Sequence, residues 1–453
     1  MAFPIVVNRL ISDSELSTFC TYLDQAKRFQ GQYVRIRGNA TTNYTNGFTP
    51  RGFDMVGIGD SRLYGVTNSG TFTYVDGWFA TLKIRCQFAA NRNTTYGHSA
   101  TVIGGAGFLP LANSPVASGF GSWPTGQGLN VTGTGGTWKG YANSDTPGCR
   151  HYETSATTVG YVLDCNGAAT GFSAQLRAGC TDFELVGERF STGGTITVKL
   201  QETGGTNSWT HGTTWSQSGA ASYAYRSSKY QISSYAGGGT VNSTSFRIRS
   251  ETSGAADNKV AGWLVYRDDY NEGFRAHNFG ASGMVLSNRS ANSLTGIKTF
   301  FAGGAAGAVN GGLFVMNVGG YNELQAAQSA STFKTAITNW CTQIMACATA
   351  PGGILIIDPR PDFSASPFDG VPTAEALYLA YKVAAYEVAA SLGGIVIIDL
   401  DKYCGYSNTT AVALGLIGSD NLHPTMAGQA LMQEIVYSVM TYGDMGKLLY
   451  GFR

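Results

Sequence analysis

Few residues in this 453-residue chain have the types and spacing that acyl chemistry requires, and they lie far apart in sequence. A serine hydroxyl becomes a useful nucleophile only when a base takes its proton. An imidazole does this best when a carboxylate fixes its tautomer. Of the five histidines, only His423 has a carboxylate three residues earlier, Asp420 in GSDNLHPTMAG; His98, His151, His211 and His277 have Thr, Gly, Ser and Phe there. The candidate hydroxyl is Ser61 in IGDSRLYG, directly after the apolar run FDMVGIG and before helical spacing. At such a strand-to-helix turn the backbone N–H of the nucleophile can also face a developing oxyanion. Further donors are offered by Asn322, with Gly320 and Tyr321, after the apolar run LFVMNV, and by Asn278, Gly280 and Gly283 in HNFGASG.

These residues need a frame that brings distant strand ends together. FDMVGIG, TFFAGG, GGLFVMNVGG, GGILIIDPRP and GGIVIIDLDKY read as short buried strands. QSASTFKTAITNWCTQIMACA, TAEALYLAYKVAAYEVAASLG and PTMAGQALMQEIVYSVM read as helices, as does DGWFATLKIRCQFAANRN. Strand–helix alternation of this kind builds a parallel sheet covered on both faces, whose ligands sit beyond the carboxyl ends of the strands.

The texture differs elsewhere. Residues 1–50 read as an N-terminal arm with a capped short helix at SDSELSTFCTYLDQAKRF, and residues 51–99 as the first part of the α/β domain. Residues 100–268 hold short strand patterns such as TDFELVGER, GGTITVKLQET, TSFRIRSET and VAGWLVYRD between Gly, Asn and Ser turns. They read as an inserted β-sandwich of jelly-roll type. Residues 269–445 return to the α/β domain, and 446–453 form a tail.

Composition narrows the function classes. Charged residues are 13% of the chain and the net charge is +1, which gives no electrostatic case for nucleic acid or an anionic membrane as partner. No run approaches the roughly 20 apolar residues of a membrane span, and MAFPIVVNRLISDSELSTFC lacks the parts of a secretion signal. The eight cysteines include no CxxC pair or other metal spacing, so no metal or cofactor is expected. Cys149, Cys165 and Cys180 are open to either a disulfide or free buried thiols.

Taken together, IGDSRL, NFGASG, GGYNE and DNLHP resemble, in order, the four sequence blocks of the SGNH (GDSL-type) hydrolases. The resemblance covers residues 53–65 and 270–445, and its most specific part is DNLHP. It implies a flavodoxin-like parallel sheet with helices on both faces, interrupted by the inserted sandwich. Ser61 would be the nucleophile, His423 the general base and Asp420 its orienting partner. The oxyanion hole would comprise the N–H of Ser61, the N–H of Gly283 or Gly280, and the Asn322 side chain. Two positions depart from the pattern: Arg62 replaces the Leu of the GDSL name, a common change, and Glu323 follows Asn322 where the third block usually has Asp.

SGNH enzymes with a β-sandwich between the first two blocks resemble carbohydrate esterases that deacetylate polysaccharides. An acetylated polysaccharide, or another ester, is therefore the expected substrate. Trp209, Trp215 and Trp263 are either sugar-stacking faces or sandwich core. The turn-rich insertion and N-terminal arm resemble those of bacteriophage tail proteins, which implies a virion or extracellular setting. Other tail proteins could then bind through the arm, and a homo-oligomer is compatible with this. The competing readings are a receptor-binding or structural protein on an idle hydrolase fold, and a lipase-like enzyme.

Overall fold

The computed structural model describes residues 53–64, 77–79, 81–82, 107–110, 129–132, 136–139, 151–154, 160–165, 182–202, 208–210, 213–231, 246–252, 258–266, 274–280, 283–288, 312–346, 352–403 and 408–442. The N-terminal arm, the strand TFFAGG, Cys149, Cys180 and the tail lie outside these residues. Of DGWFATLKIRCQFAANRN, only Gly77–Phe79 and Thr81–Leu82 fall within them, helical at Trp78–Phe79 and Thr81–Leu82.

Five parallel strands form one sheet: β1 (Phe53–Gly59), β2 (Phe274–Gly280), β3 (Gly312–Asn317), β4 (Gly352–Ile357) and β5 (Ile395–Asp399), in the order β2-β1-β3-β4-β5. Its helices are α1 (Ser61–Tyr64), α2 (Tyr321–Gln325), α3 (Ala330–Met345), α4 (Ala374–Leu392), α5 (Leu400–Tyr403), α6 (Asn408–Ala413) and α7 (Met426–Tyr442). The strands are apolar without alternation because both faces are covered. Val56, Ile58, Phe314, Met316, Leu355 and Ile357 pack with α3 and α4. Their strand neighbours Met55, Val315, Ile354 and Ile356 pack with Trp78, Phe79 and α7 residues Ile435 and Val436 on the other side. Each such side chain contributes about 1.5–3 kcal/mol by leaving water.

The α3 helix shows how local sequence sets an element. Ser329 accepts the Thr332 N–H as N-cap, and Phe333, Ile337, Trp340, Cys341 and Ile344 recur at helical spacing and are buried.

Between β1 and β2 lie two antiparallel sheets. One has Asp182–Arg189 and Asn258–Tyr266 as its inner strands; the other is built around Thr195–Glu202, Phe246–Thr252 and Gly160–Cys165. The sheets meet at Gly187, where a Cβ would lie 2.9 Å from the Trp215 ring. The first sheet is buried on both sides, with Glu184 paired to Arg226 and Glu188 to Lys259 beside Val186. Val186, Ala261 and Leu264 belong to the same core as β1 and β3, so this sheet is seated on the α/β domain. Trp215 and Trp263 are 2% and 0% exposed, which makes them core and not sugar platforms. The Trp209 side chain lies outside the described part.

Candidate active site

In the order β2-β1-β3-β4-β5 the connections diverge between β1 and β3, the point at whose carboxyl edge open parallel sheets of this kind bind their ligands. Register brings the strand ends level: Gly59 pairs with Gly280 of β2, and Ile58 with Met316 of β3. Ser61 opens α1 one residue beyond Asp60, at the end of β1. Asn322 lies in the first turn of α2, after β3.

His423 reaches this edge from the loop before α7. The loop is closed by the bridge between Ile417 and Pro424 and by bonds from Gly418 N to His423 O (2.9 Å) and Asn421 N to Gly418 O (3.1 Å). Thr425 caps α7, its Oγ1 accepting the Gly428 N–H. Asn421 takes a left-handed φ of 59° and ties the loop to the β4–α4 connection, accepting from Asp362 N and donating to Asp362 O.

Within this frame Ser61 Oγ lies 2.9 Å from His423 Nε2, and His423 Nδ1 lies 2.8 Å from Asp420 Oδ2. The other carboxylate oxygen, Oδ1, accepts the backbone N–H groups of Leu422 and His423, both at 3.0 Å. Burial works against the Asp420 charge, but the imidazole and these two N–H groups outweigh it and lower its pKa below the usual value. The arrangement can draw a proton from Ser61 Oγ while holding the imidazole upright. Ser61, His423 and Asp420, separated by up to 362 residues, are thus brought together.

The donor segments are also tied down. The Asn322 amide donates one N–H to Met284 O at 3.0 Å, and Glu323 Oε1 accepts the Leu286 N–H at 2.8 Å. Trp340 Nε1 donates to Leu286 O at 3.3 Å. The Glu at position 323 therefore anchors the second-block segment to α2. Of the two candidate glycines, Gly280 has its N–H taken by Asn278 Oδ1 (2.8 Å). Gly283 is exposed and adopts φ 73°, a conformation that favours glycine. Asn278 also donates to Leu63 O at 3.3 Å, joining the end of β2 to α1.

Burial pushes the Glu323 carboxyl up to about 7. Between roughly pH 4.5 and 7 the folded chain keeps a proton that the unfolded chain releases, so stability falls as pH rises through that window and levels off above it. Glu323→Gln keeps an acceptor for Leu286 and removes this penalty. Urea unfolding of wild type should lose on the order of 3 kcal/mol relative to the variant across the window; parallel curves would refute the assignment.

Sequence reasoning passed over Arg62 as an inconsequential departure from Leu. The side chain is 2% exposed, and its Nη2 lies 2.8 Å from Asp60 Oδ2 and 2.9 Å from Asp358 Oδ2. Its guanidinium carbon sits 4.1 Å from the centre of the Tyr321 ring. Burial opposes the Arg62 charge, but the Asp358 and Asp60 charges more than compensate and raise its pKa. Burial also pushes Asp358 up to about 7, while at Asp60 burial is outweighed by Arg62 and the pKa falls. A charged residue three positions after an apolar strand run was the available signal. Its partner Asp358, 296 residues on, was not visible.

Among the described residues no group of three or more His, Cys, Asp or Glu is placed to hold a metal ion.

No known family profile matches the chain, and no curated protein matches it in sequence. In three dimensions it is similar to a peptidoglycan O-acetylesterase, with a TM-score of 0.57 over 93% of this chain and 96% of that one, at 12% identity. The likeness is one of fold, and the parallel sheet with helices on both faces agrees with the SGNH-type fold that the four sequence blocks imply. A lipase/acylhydrolase from Enterococcus faecalis (18% identity, 38% of this chain and 77% of that one) and a family two carbohydrate esterase from Clostridium thermocellum in complex with cellohexaose (10%, 69% and 99%) each align with a TM-score of 0.27, too slight to argue from.

Proposed function

We propose that this chain is a serine esterase that removes O-acetyl groups from a carbohydrate. The observation that carries the reading is the hydrogen-bonded series Ser61–His423–Asp420 at the carboxyl edge of the sheet. Ser61 Oγ attacks the ester carbonyl carbon as its proton passes to His423 Nε2, forming a tetrahedral oxyanion. The N–H groups of Ser61 and Gly283 and the amide of Asn322 stabilise that charge. Collapse expels the alcohol, which takes the proton from His423. Water, deprotonated by His423, then attacks the acyl carbon and releases acetate and free Ser61.

The fold likeness to a peptidoglycan O-acetylesterase supports a glycan-bound acetyl ester as the substrate class. The proposed setting is a surface polysaccharide, met from a virion tail or as an extracellular enzyme. The purified protein should hydrolyse p-nitrophenyl acetate and release acetate from some members of a panel of acetylated bacterial and plant polysaccharides. Release from a single host-surface glycan would support the tail setting. A folded protein that neither cleaves the ester nor reacts with a fluorophosphonate would sink the esterase reading.

Asn322→Ala should lower kcat by about 10²–10³-fold, the loss expected when one oxyanion donor is removed. Because the side chain is only partly buried and makes one described hydrogen bond, the thermal midpoint should move little. Steady-state kinetics beside a melting curve checks both.

A further inference from the structure

We propose that Arg62 is a positioning residue that locks the turn carrying Ser61 to the segment carrying Asn322. The inference rests on the esterase reading above and adds a residue to its machinery.

Arg62 touches the residue adjoining each of the two. Asp60 precedes Ser61, and Asp60 Oδ1 accepts the Arg62 backbone N–H at 2.9 Å while Oδ2 meets the guanidinium at 2.8 Å. The Asp60-Ser61-Arg62 turn is therefore closed from both sides of its middle residue. Tyr321 precedes Asn322, and the guanidinium lies over its ring. The Tyr321 hydroxyl donates to Pro359 O, and Asp358, the residue before that proline, is the second carboxylate on Arg62.

The chain of contacts continues into the approach to α2. Asn317 Nδ2 donates to Asp358 Oδ1 at 3.2 Å, and Asn317 Oδ1 accepts the Gly319 N–H at 3.4 Å. A Cβ on Gly319 would fall 1.5 Å from Asp358 Oδ2, so the backbone leading to Asn322 is pressed directly onto this carboxylate. One guanidinium thus joins the ends of β1 and β4 and the start of α2.

Stability alone does not account for such a residue. A buried ion cluster is weak evidence for stability, since apolar side chains of similar volume often serve as well or better. A Leu could fill the space, but it has no fork of donors with fixed directions. Direction is what placing a nucleophile and an oxyanion donor requires, because misplacement by about 1 Å can cost roughly 100-fold in rate.

The test uses Arg62→Lys, Arg62→Leu and the double variant Arg62→Leu/Asp358→Asn, in which the carboxylate orphaned at Asp358 is removed. Wild type and Ser61→Ala are assayed first on p-nitrophenyl acetate, and their comparison judges the esterase reading by itself. Arg62→Leu and the double variant should each lose about 100-fold in kcat with KM within about twofold, and Arg62→Lys should recover part of the loss. If Arg62 only balances charge, the folded double variant regains wild-type kcat, and the proposal is overturned. Should wild type itself prove inactive, a crystal structure of the folded double variant decides. Ser61 Oγ out of reach of His423 Nε2, or the Asn322 amide off the Met284 carbonyl, supports positioning; both contacts retained overturns it.

Discussion

Ser61→Ala is expected to lower turnover of an acetyl ester by at least about 10⁴-fold and to leave the fold intact. The substitution removes one oxygen whose described partner is His423 Nε2. It leaves the strand end, α1 and the Asp60–Arg62 contacts untouched. The structural cost is one hydrogen bond, about 1 kcal/mol, so circular dichroism and the thermal midpoint should stay close to wild type. The catalytic cost is much larger because no covalent intermediate can form. What survives is the rate supplied by binding and by the oxyanion donors acting on a water molecule. Reaction with a fluorophosphonate, stoichiometric in wild type, should vanish in the variant. Retention of more than a tenth of the wild-type kcat would place the nucleophile elsewhere.

Four of the five strands of the α/β frame were legible because they have a one-dimensional signature; β2, with Arg275, His277 and Asn278 in its run, has none and was not read as a strand. The ILII run of GGILIIDPRP and the IVII run of GGIVIIDLDKY are apolar at every position because residues facing both sides enter a core, as Leu355 and Ile356 do on opposite faces of β4. Sheet order is a long-range property, and here it came through the four-block resemblance, not from any strand's composition. Asp420 and His423 were legible because a three-residue spacing in one loop puts the carboxylate on the imidazole with no help from another strand.

What was not legible is what depends on contacts across the sheet. Trp215 and Trp263 read more readily as core, but a sugar platform stayed open, since a tryptophan's neighbours, not its type, decide its burial. The sequence did not show that Asn278 Oδ1 takes the Gly280 N–H, the contact that favours Gly283 as donor in the proposed mechanism. Arg62 read as a common departure from Leu because Asp358 stands at the end of another strand and Tyr321 on another helix. A sequence pattern registers periodicity along one element. It does not register a charge whose partners arrive from three.

Asp420→Asn should cost about 10⁴-fold in kcat, and the structure gives a reason specific to this loop. Asp420 Oδ1 accepts the backbone N–H groups of Leu422 and His423, each at 3.0 Å. An asparagine must keep its oxygen there, since turning the amide over would set its NH₂ against two donors at about 1–3 kcal/mol each. Its NH₂ is then forced to face His423 Nδ1, where the carboxylate Oδ2 sits at 2.8 Å in the wild type. A donor in that place requires a lone pair on Nδ1, which puts the ring proton on Nε2, pointing at Ser61 Oγ. In that tautomer the imidazole cannot take the serine proton, although every heavy atom is near its original position. The loss should therefore fall on kcat and persist through neutral pH. The wild-type carboxyl, lowered by its hydrogen bonds, contributes stability that is present above the unfolded value and lost only as pH falls through the folded one. In the variant this acid-side contribution disappears together with the activity. An Asp420→Asn enzyme within tenfold of wild type would mean that the amide has turned over, or that His423 does not need this partner to act as a base.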